Sequence, residues 1–207
     1  MLRIWGRTSS INVRKVLLCA QWLGLDFERV DAGLAYGVVD TPGYRALNPN
    51  GLVPTLQDGD FTLWESNVIV RYLCAQYGGA TGWYPDGVRQ RFEAERWMDW
   101  QQTTLNRAGG PAFLQWIRTP APQRDRQLIA QSVAATEPLF GAVDAQLARH
   151  AFMVGDTPTM ADLPIACEVH RWWGLPQPRP AWPHIERWYA HWLAHPASRG
   201  VLDLPLS

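Results

Sequence analysis

The chain has 207 residues, and its 19 basic and 19 acidic side chains give a formal net charge of zero. This length suits one large or two small domains. The balanced charge argues against an electrostatic nucleic-acid-binding or membrane-binding surface. No stretch approaches the length of about 18 apolar residues typical of a transmembrane helix. Three widely separated cysteines, Cys19, Cys74 and Cys167, fit a reducing compartment, so we expect a cytoplasmic protein without disulfides.

The first third of the chain predicts a mixed α/β unit. Alternating and β-branched runs indicate strands, and apolar residues at helical spacing indicate helices between them. The predicted order is strand, helix, strand, short helix, strand, strand, helix, at residues 2–5, 13–23, 27–30, 42–48, 53–56, 61–64 and 66–77. The first strand–helix–strand segment requires a parallel pair joined by a crossover.

The rest of the chain is helical in period. A Gly- and Pro-rich segment at residues 79–87 marks a linker. We therefore divide the chain into domains at 1–78 and 88–207. The second domain is predicted to be all-α, with helical runs near 89–116, 122–149, 163–169 and 181–194. The first run should bend or break near Gly109-Gly110-Pro111, and the second near Pro138.

Two dipeptides about ten residues apart carry the strongest functional signal. Val53-Pro54 begins the third predicted strand, and Glu65-Ser66 begins the helix after the fourth. An X-Pro bond can be cis, in a turn that leaves the amide and carbonyl of Val53 free. The amides and dipole at the helix start, near Ser66, attract a carboxylate, and Glu65 offers an acceptor for an ammonium group. Together these features suit a zwitterionic peptide.

This arrangement resembles the glutathione site of the cytosolic glutathione S-transferases, and the resemblance covers nearly the whole chain. It implies a thioredoxin-like α/β N-terminal domain, an all-α C-terminal domain and a homodimer. It also implies glutathione as co-substrate, no metal or redox cofactor, and a small apolar electrophile as second substrate. Val53 and Pro54 would contact the cysteinyl part of glutathione, whereas Glu65 and Ser66 would hold its γ-glutamyl end.

The loop after the first strand should supply the group that activates the glutathione thiol. A free thiol has a pKa of about 8.5, and a hydrogen-bond donor aimed at sulfur lowers it. The loop contains no Tyr and no Cys, which disfavours the classes that use them. Residues 10–16, Ser-Ile-Asn-Val-Arg-Lys-Val, resemble the Ser-x-x-x-Arg/Lys-x-Val pattern of bacterial-looking, Ser-type classes. This identifies Ser10 as the catalytic candidate, and Ser9 is the alternative because zeta-like loops align one residue earlier.

Leu52 departs from the pattern of many family members, which place Gln, Lys or Arg at this position. Leu52 is still expected at the glutathione site, but it offers no side-chain bond to the glycine carboxylate. Arg7, Asn50 or a residue near Tyr36 is a candidate replacement.

Two other functions fit the same motifs. One is a glutathione-dependent disulfide or peroxide reductase, or an isomerase, of the same fold. The other is a non-catalytic binding module. Trp100, Thr104 and Arg107 share one helix face and are candidates to line an electrophile pocket, although Trp97 and Trp100 are more typical of helix packing.

Two further patterns in the second domain predict structure rather than chemistry. Residues 159–162, Thr-Met-Ala-Asp, have the form of a capping box before an apolar helix. They also resemble the N-capping box of the buried helix in the glutathione S-transferase C-terminal domain. His191 and His195 are four residues apart, but no third ligand accompanies them, so no metal site is predicted.

Overall fold

The computed structural model describes residues 1–207 and contains an N-terminal mixed sheet with flanking helices. The strand order is β2-β1-β3-β4; β1 and β2 are parallel and the other neighbours are antiparallel. The elements are β1 (Leu2–Trp5), α1 (Ile11–Trp22), β2 (Phe27–Val30), α2 (Pro42–Leu47), β3 (Thr55–Asp58), β4 (Phe61–Trp64) and α3 (Ser66–Tyr77). The predicted fold class of this unit is confirmed.

The third strand begins later than predicted. It starts at Thr55 rather than Val53, because Pro54 has no amide hydrogen for the ladder. The strand continues to Asp58, and the two-residue hairpin turn begins at Gly59, whose φ of +61° is readily adopted by glycine.

The second part of the chain is all helical, also as predicted. Its long helices are α4 (Val88–Trp100), α5 (Asn106–Phe113), α6 (Arg126–Leu147), α7 (Asp162–Trp173) and α8 (Pro183–Ala194). None of the helices in the chain has both the length and the apolar character needed to cross a membrane.

The expected break at Gly109-Gly110-Pro111 is absent. The backbone stays helical from α4 to Arg118, and Pro111 lies inside α5. The irregular turns are instead two π-helical segments, Gln101–Leu105 and Leu114–Arg118. Such wider turns change the hydrogen-bond register within a helix without ending it.

The sixth helix begins later than predicted and is not broken at its internal proline. It begins at Arg126 rather than residue 122, because the Asp125 side chain accepts a hydrogen bond from the Leu128 amide at 2.9 Å and caps the helix. Pro138 lies inside the helix without breaking it.

Helix α1 joins the two domains. It packs against α3 on the sheet side and against α7 on the helical side. One cluster of buried apolar side chains extends through both units, from Leu18 and Ile69 to Met98 and Leu163. The loop of residues 6–10 before α1, called the serine loop below, is therefore fixed relative to the helical domain.

A buried polar network crosses this domain interface. The Lys15 ammonium donates to Gln102 Oε1 at 2.7 Å. Nearby, Glu168 accepts from Gln101 Nε2 and Arg171 Nη2, both at 2.7 Å. Lys15 is the only lysine of the chain and is fully buried. Burial lowers the pKa of Lys15 to about 8, although the neighbouring Glu168 carboxylate acts in the opposite direction.

Between about pH 8 and pH 10, we expect the unfolding free energy to rise more in the wild type than in Lys15→Met. The folded-state pKa of about 8 lies below the ordinary 10.5, so the unfolded chain binds more protons in this window. The penalty for charging Lys15 is present in full below the folded pKa and disappears as pH rises toward the unfolded value. Urea denaturation should show a difference of about 2 kcal/mol between the two pH responses. Parallel responses would contradict this account.

Candidate glutathione and electrophile site

Three loops converge at one end of the sheet. In the ladder, Trp5 pairs with Thr55, and Thr55 pairs with Trp64. The residues that follow β1, precede β3 and follow β4 must therefore lie side by side. This register brings together the serine loop, residues 6–10, with Val53-Pro54 and Glu65-Ser66.

Ser10 occupies the N-cap position of α1, with φ −92° and ψ 123°. Its carbonyl accepts from the Arg14 amide at 2.9 Å, but its side chain makes no capping bond to the helix. The hydroxyl therefore has no structural partner to satisfy and is free to donate to a ligand. The helix dipole at this position favours a negative charge.

Ser9 also faces the space in front of the helix. Both serines are half-buried and line the same cavity. The Ser9 carbonyl accepts from Arg118 Nη2 at 3.4 Å, which ties the serine loop to the helical domain. The N-cap position distinguishes Ser10 from Ser9, and the choice between them stays a prediction.

Arg14 anchors the serine loop through hydrogen bonds. It is buried, and its Nε donates to the Thr8 carbonyl at 2.7 Å. Its Nη1 and Nη2 donate to the carbonyls of Val201 at 2.5 Å and Pro205 at 2.9 Å. One guanidinium thus fixes both the loop before α1 and the C-terminal segment that brings Leu206 to the cavity.

The Val53-Pro54 bond is cis. Neither the amide nor the carbonyl of Val53 has a backbone hydrogen-bond partner. The preceding carbonyl, of Leu52, is held by Tyr44 Oη at 2.7 Å and by Asn48 Nδ2 at 2.9 Å. The Val53 peptide groups are thus available to an extended ligand beside a fixed turn, whereas the Leu52 side chain extends into solvent.

Glu65 is held in an unusual backbone conformation. Its φ of 73° lies in a region that residues with a side chain rarely adopt. Such conformations cluster at ligand sites, where the surrounding structure maintains them. Ser66, the first residue of α3, is buried beside it. The free amides of the first turn of α3 make this corner suitable for a carboxylate.

A cavity of about 630 Å³ lies between the serine loop and the helical domain. Ser9 and Ser10 line it, but Val53, Glu65 and Ser66 do not. The site therefore has two parts, a surface strip along the sheet end and a cavity beyond it. The serines belong to the cavity side and lie where the two parts meet.

The cavity includes residues that the sequence pattern missed. Arg107 lines it as expected, but Trp100 and Thr104 do not. Trp97 and Trp100 pack edge to face, with ring centroids 5.1 Å apart. Arg118 reaches the cavity from the second π-helical segment, which no sequence signal indicated.

Leu52 offers no polar side chain to the glycine carboxylate of glutathione, and the residues that could bind this carboxylate instead are not equally free to do so. The Asn50 side chain is used locally, donating to Asn48 Oδ1 at 3.1 Å. Arg7 and Val53 both lie close to Gly33. A Cβ built on this glycine would be 2.6 Å from Arg7 Nη1 and 3.7 Å from Val53 Cγ1. Arg7 therefore lies near Val53 at the sheet end, and its buried Nε has no hydrogen-bond partner.

Comparisons with known proteins agree with this architecture. The chain matches the family models for the glutathione S-transferase N-terminal domain over residues 9–76 and C-terminal domain over residues 105–196. It is 40% identical to glutathione S-transferase GstB of Escherichia coli (strain K12) over 209 residues, covering 100% of both chains. It is 30% identical to glutathione S-transferase 3 of Zea mays, covering 99% of this chain and 95% of the relative.

A solved structure shows the same fold over the full length. It is the theta class glutathione S-transferase from the citrus canker pathogen Xanthomonas axonopodis pv. citri with glutathione bound. The TM-score is 0.95 at 42% identity, covering 100% of this chain and 99% of that one. The chain belongs to the glutathione S-transferase family, which confirms the resemblance drawn from its motifs.

Proposed function

We propose that this protein is a glutathione S-transferase that conjugates the glutathione thiolate to a small electrophile with an apolar body. The observation that carries the proposal is the convergence of three loops at one sheet end, with an unpartnered Ser10 hydroxyl at a helix N-terminus. Glutathione is the co-substrate, and the proposed reaction uses no metal or redox cofactor.

Glutathione would lie along the strip formed by Leu52, Val53, Pro54, Glu65 and Ser66. The Val53 amide and carbonyl would pair with its cysteinyl residue, since both lack backbone partners. Ser66 and the first-turn amides of α3 would bind the γ-glutamyl carboxylate, and Glu65 would accept from the ammonium group. This orientation directs the thiol toward Ser10.

The Ser10 hydroxyl would donate to the sulfur and favour the thiolate over the thiol. The thiol proton leaves to solvent. The thiolate then attacks the electrophilic carbon in the cavity, so that a C–S bond forms and the leaving group departs with its electron pair. Ser10 acts throughout as a hydrogen-bond donor and does not become a nucleophile itself.

The proposed assembly is a cytoplasmic homodimer of chains divided at residues 1–78, 79–87 and 88–207. Large apolar side chains remain exposed on β4, α3 and α4, namely Phe61, Trp64, Val68, Val88 and Phe92. An exposed apolar surface of this kind favours burial against a second protein surface. No partner among nucleic acids or membranes is proposed.

The proposal is tested by assaying conjugation of glutathione to an aryl halide alongside reduction of a small disulfide and of a peroxide. Conjugation as the fastest reaction supports the proposed function. Faster reduction would favour the reductase instead, and retention on immobilised glutathione without any turnover would favour a binding module.

Ser66→Ala should raise the Kd for glutathione about tenfold while kcat at saturating glutathione stays within about twofold, because it removes a hydrogen bond to a charged group. Isothermal titration with glutathione measures the first quantity, and steady-state kinetics measures the second. Ser10→Ala serves as the opposite case, with kcat lowered and affinity retained. An unchanged Kd in Ser66→Ala would remove this serine from the proposed site.

A further inference from the structure

The cavity beside Ser10 is strongly basic. Its lining includes five arginines and no aspartate or glutamate, the arginines being Arg7, Arg14, Arg107, Arg118 and Arg171. A cavity with guanidinium groups and no acidic side chain carries a positive potential, because low-dielectric walls focus the field of its charges. This character contrasts with the zero net charge of the whole chain.

Two of the five arginines are held by several partners within the fold. Arg171 bonds Glu168 Oε2 at 2.7 Å and Asn106 Oδ1 at 2.9 Å. Arg14 bonds backbone carbonyls of the serine loop and of the C-terminal segment. Their partners lie within the protein, so neither requires a ligand.

The other three, Arg7, Arg107 and Arg118, are different, because none forms a salt bridge or a hydrogen bond to another side chain. Arg118 makes one long bond, to the Ser9 carbonyl at 3.4 Å, and the buried Nε of Arg7 has no partner. Burial lowers the pKa of Arg7, and the charge of Arg118 lowers it further. The two cations thus repel each other, and an anion bound by both would offset this repulsion.

Besides the arginines, the lining contains the polar residues Ser9, Ser10, Asn106 and His170 and a larger apolar part. Both domains contribute apolar side chains, namely Ile11, Leu34, Pro111, Phe113, Leu114 and Leu206. Phe113 also lies under Arg118, with the guanidinium carbon 5.7 Å from the ring centroid. An apolar wall thus leads directly to an unpaired cation.

We propose that the electrophile carries an anionic group, such as a carboxylate, on its apolar body, and that Arg118 with Arg7 binds this group. This inference rests on the proposed function and narrows its second substrate to acidic electrophiles. The apolar wall would hold the body of the substrate, with its reacting carbon facing the sulfur near Ser10. Arg118 would therefore be a specificity-determining residue supplied by the helical domain.

Equilibrium binding tests the inference without requiring turnover. The probes are meta-nitrobenzoate and its methyl ester, titrated by tryptophan fluorescence in the presence of saturating S-methylglutathione. The wild type should bind the acid about tenfold more tightly than the ester, as expected for hydrogen bonds to a charged group. Arg118→Gln should lose most of this preference.

The matched control is Arg126→Gln, which removes the same charge from an exposed arginine outside the cavity lining. It should keep the preference for the acid. Equal binding of acid and ester by the wild type would overturn the inference, and so would an equal loss in both variants. A weaker affinity for S-methylglutathione in Arg118→Gln, with the acid-to-ester ratio unchanged, would also overturn it, by assigning Arg118 to glutathione.

Kinetics separate this inference from the proposed function. The substrates are para-chloro-meta-nitrobenzoate and its methyl ester, with each kcat/KM divided by the rate of the same halide with free glutathione. Arg118→Gln should lower the value for the acid about tenfold and that for the ester less than about twofold. Equal effects on both would overturn the inference. Selective binding of the acid without conjugation of either halide would contradict the transferase activity but support the anion site.

Discussion

Ser10→Ala is expected to lower kcat for glutathione conjugation about 10- to 100-fold, with the Kd for glutathione within about twofold of the wild type. The hydroxyl has no capping role in α1, so its removal should leave the loop in place. What is lost is a hydrogen bond to a charged sulfur, a bond of about 1.5–3 kcal/mol in folded proteins. Steady-state kinetics with an aryl halide and calorimetric titration of glutathione measure the two quantities separately.

Ser9→Ala is the matched control for this variant, because Ser9 lines the same cavity one residue earlier. Its kcat should remain within about threefold of the wild type. A large loss confined to Ser9→Ala would transfer the role to Ser9. Unchanged turnover in both variants would exclude a serine donor altogether.

Asp162→Ala is expected to destabilise the protein by about 3–5 kcal/mol. The carboxylate is fully buried at the start of α7 and accepts from the amides of Met153 and Thr159, both at 2.9 Å. It also accepts from Trp188 Nε1 at 3.0 Å, which ties α7 to α8. Burial raises the pKa of Asp162 to about 6, so the group is an ionised acceptor above neutral pH. Alanine would leave several buried donors without partners.

Urea denaturation above neutral pH measures this loss. Asp86→Ala, at an exposed aspartate in the linker, should change stability by less than about 0.5 kcal/mol. Thr159→Ala provides a milder test should Asp162→Ala fail to fold, because it removes only one weak bond to the carboxylate, at 3.3 Å, and one to the Ala161 amide. Its expected cost is about 1 kcal/mol. A cost for Asp162→Ala as small as that for Asp86→Ala would contradict the role of this carboxylate.

Local patterns predicted the order of strands and helices in the first domain well, because each element depends on few residues. The turn at Gly59 sets the hairpin register, and that register alone places Pro54 next to Glu65. The capping box was visible for the same reason, although its wider role was not. The sequence could not show that the Asp162 carboxylate also reaches Met153 and Trp188, since those contacts depend on tertiary packing.

Helix continuity and cavity chemistry were harder to predict. Pro111 and Pro138 have strong local preferences against helix interiors, yet tertiary packing keeps both inside helices. The basic cavity depends on side chains far apart in sequence, Arg7 beside β1 and Arg118 in a π-helical turn. A balanced overall charge conceals such a local excess, because composition carries no spatial information.

The most direct measurement is the pKa of the glutathione thiol bound to the protein, followed by the ultraviolet absorbance of the thiolate as pH is raised. The free thiol titrates at about 8.5. The proposed site should lower the pKa of the bound thiol to about 7 in the wild type and in Ser9→Ala. In Ser10→Ala the bound pKa should return toward the free value. A bound thiol that titrates like free glutathione in the wild type, or one equally acidic in Ser10→Ala, would contradict the assignment of Ser10.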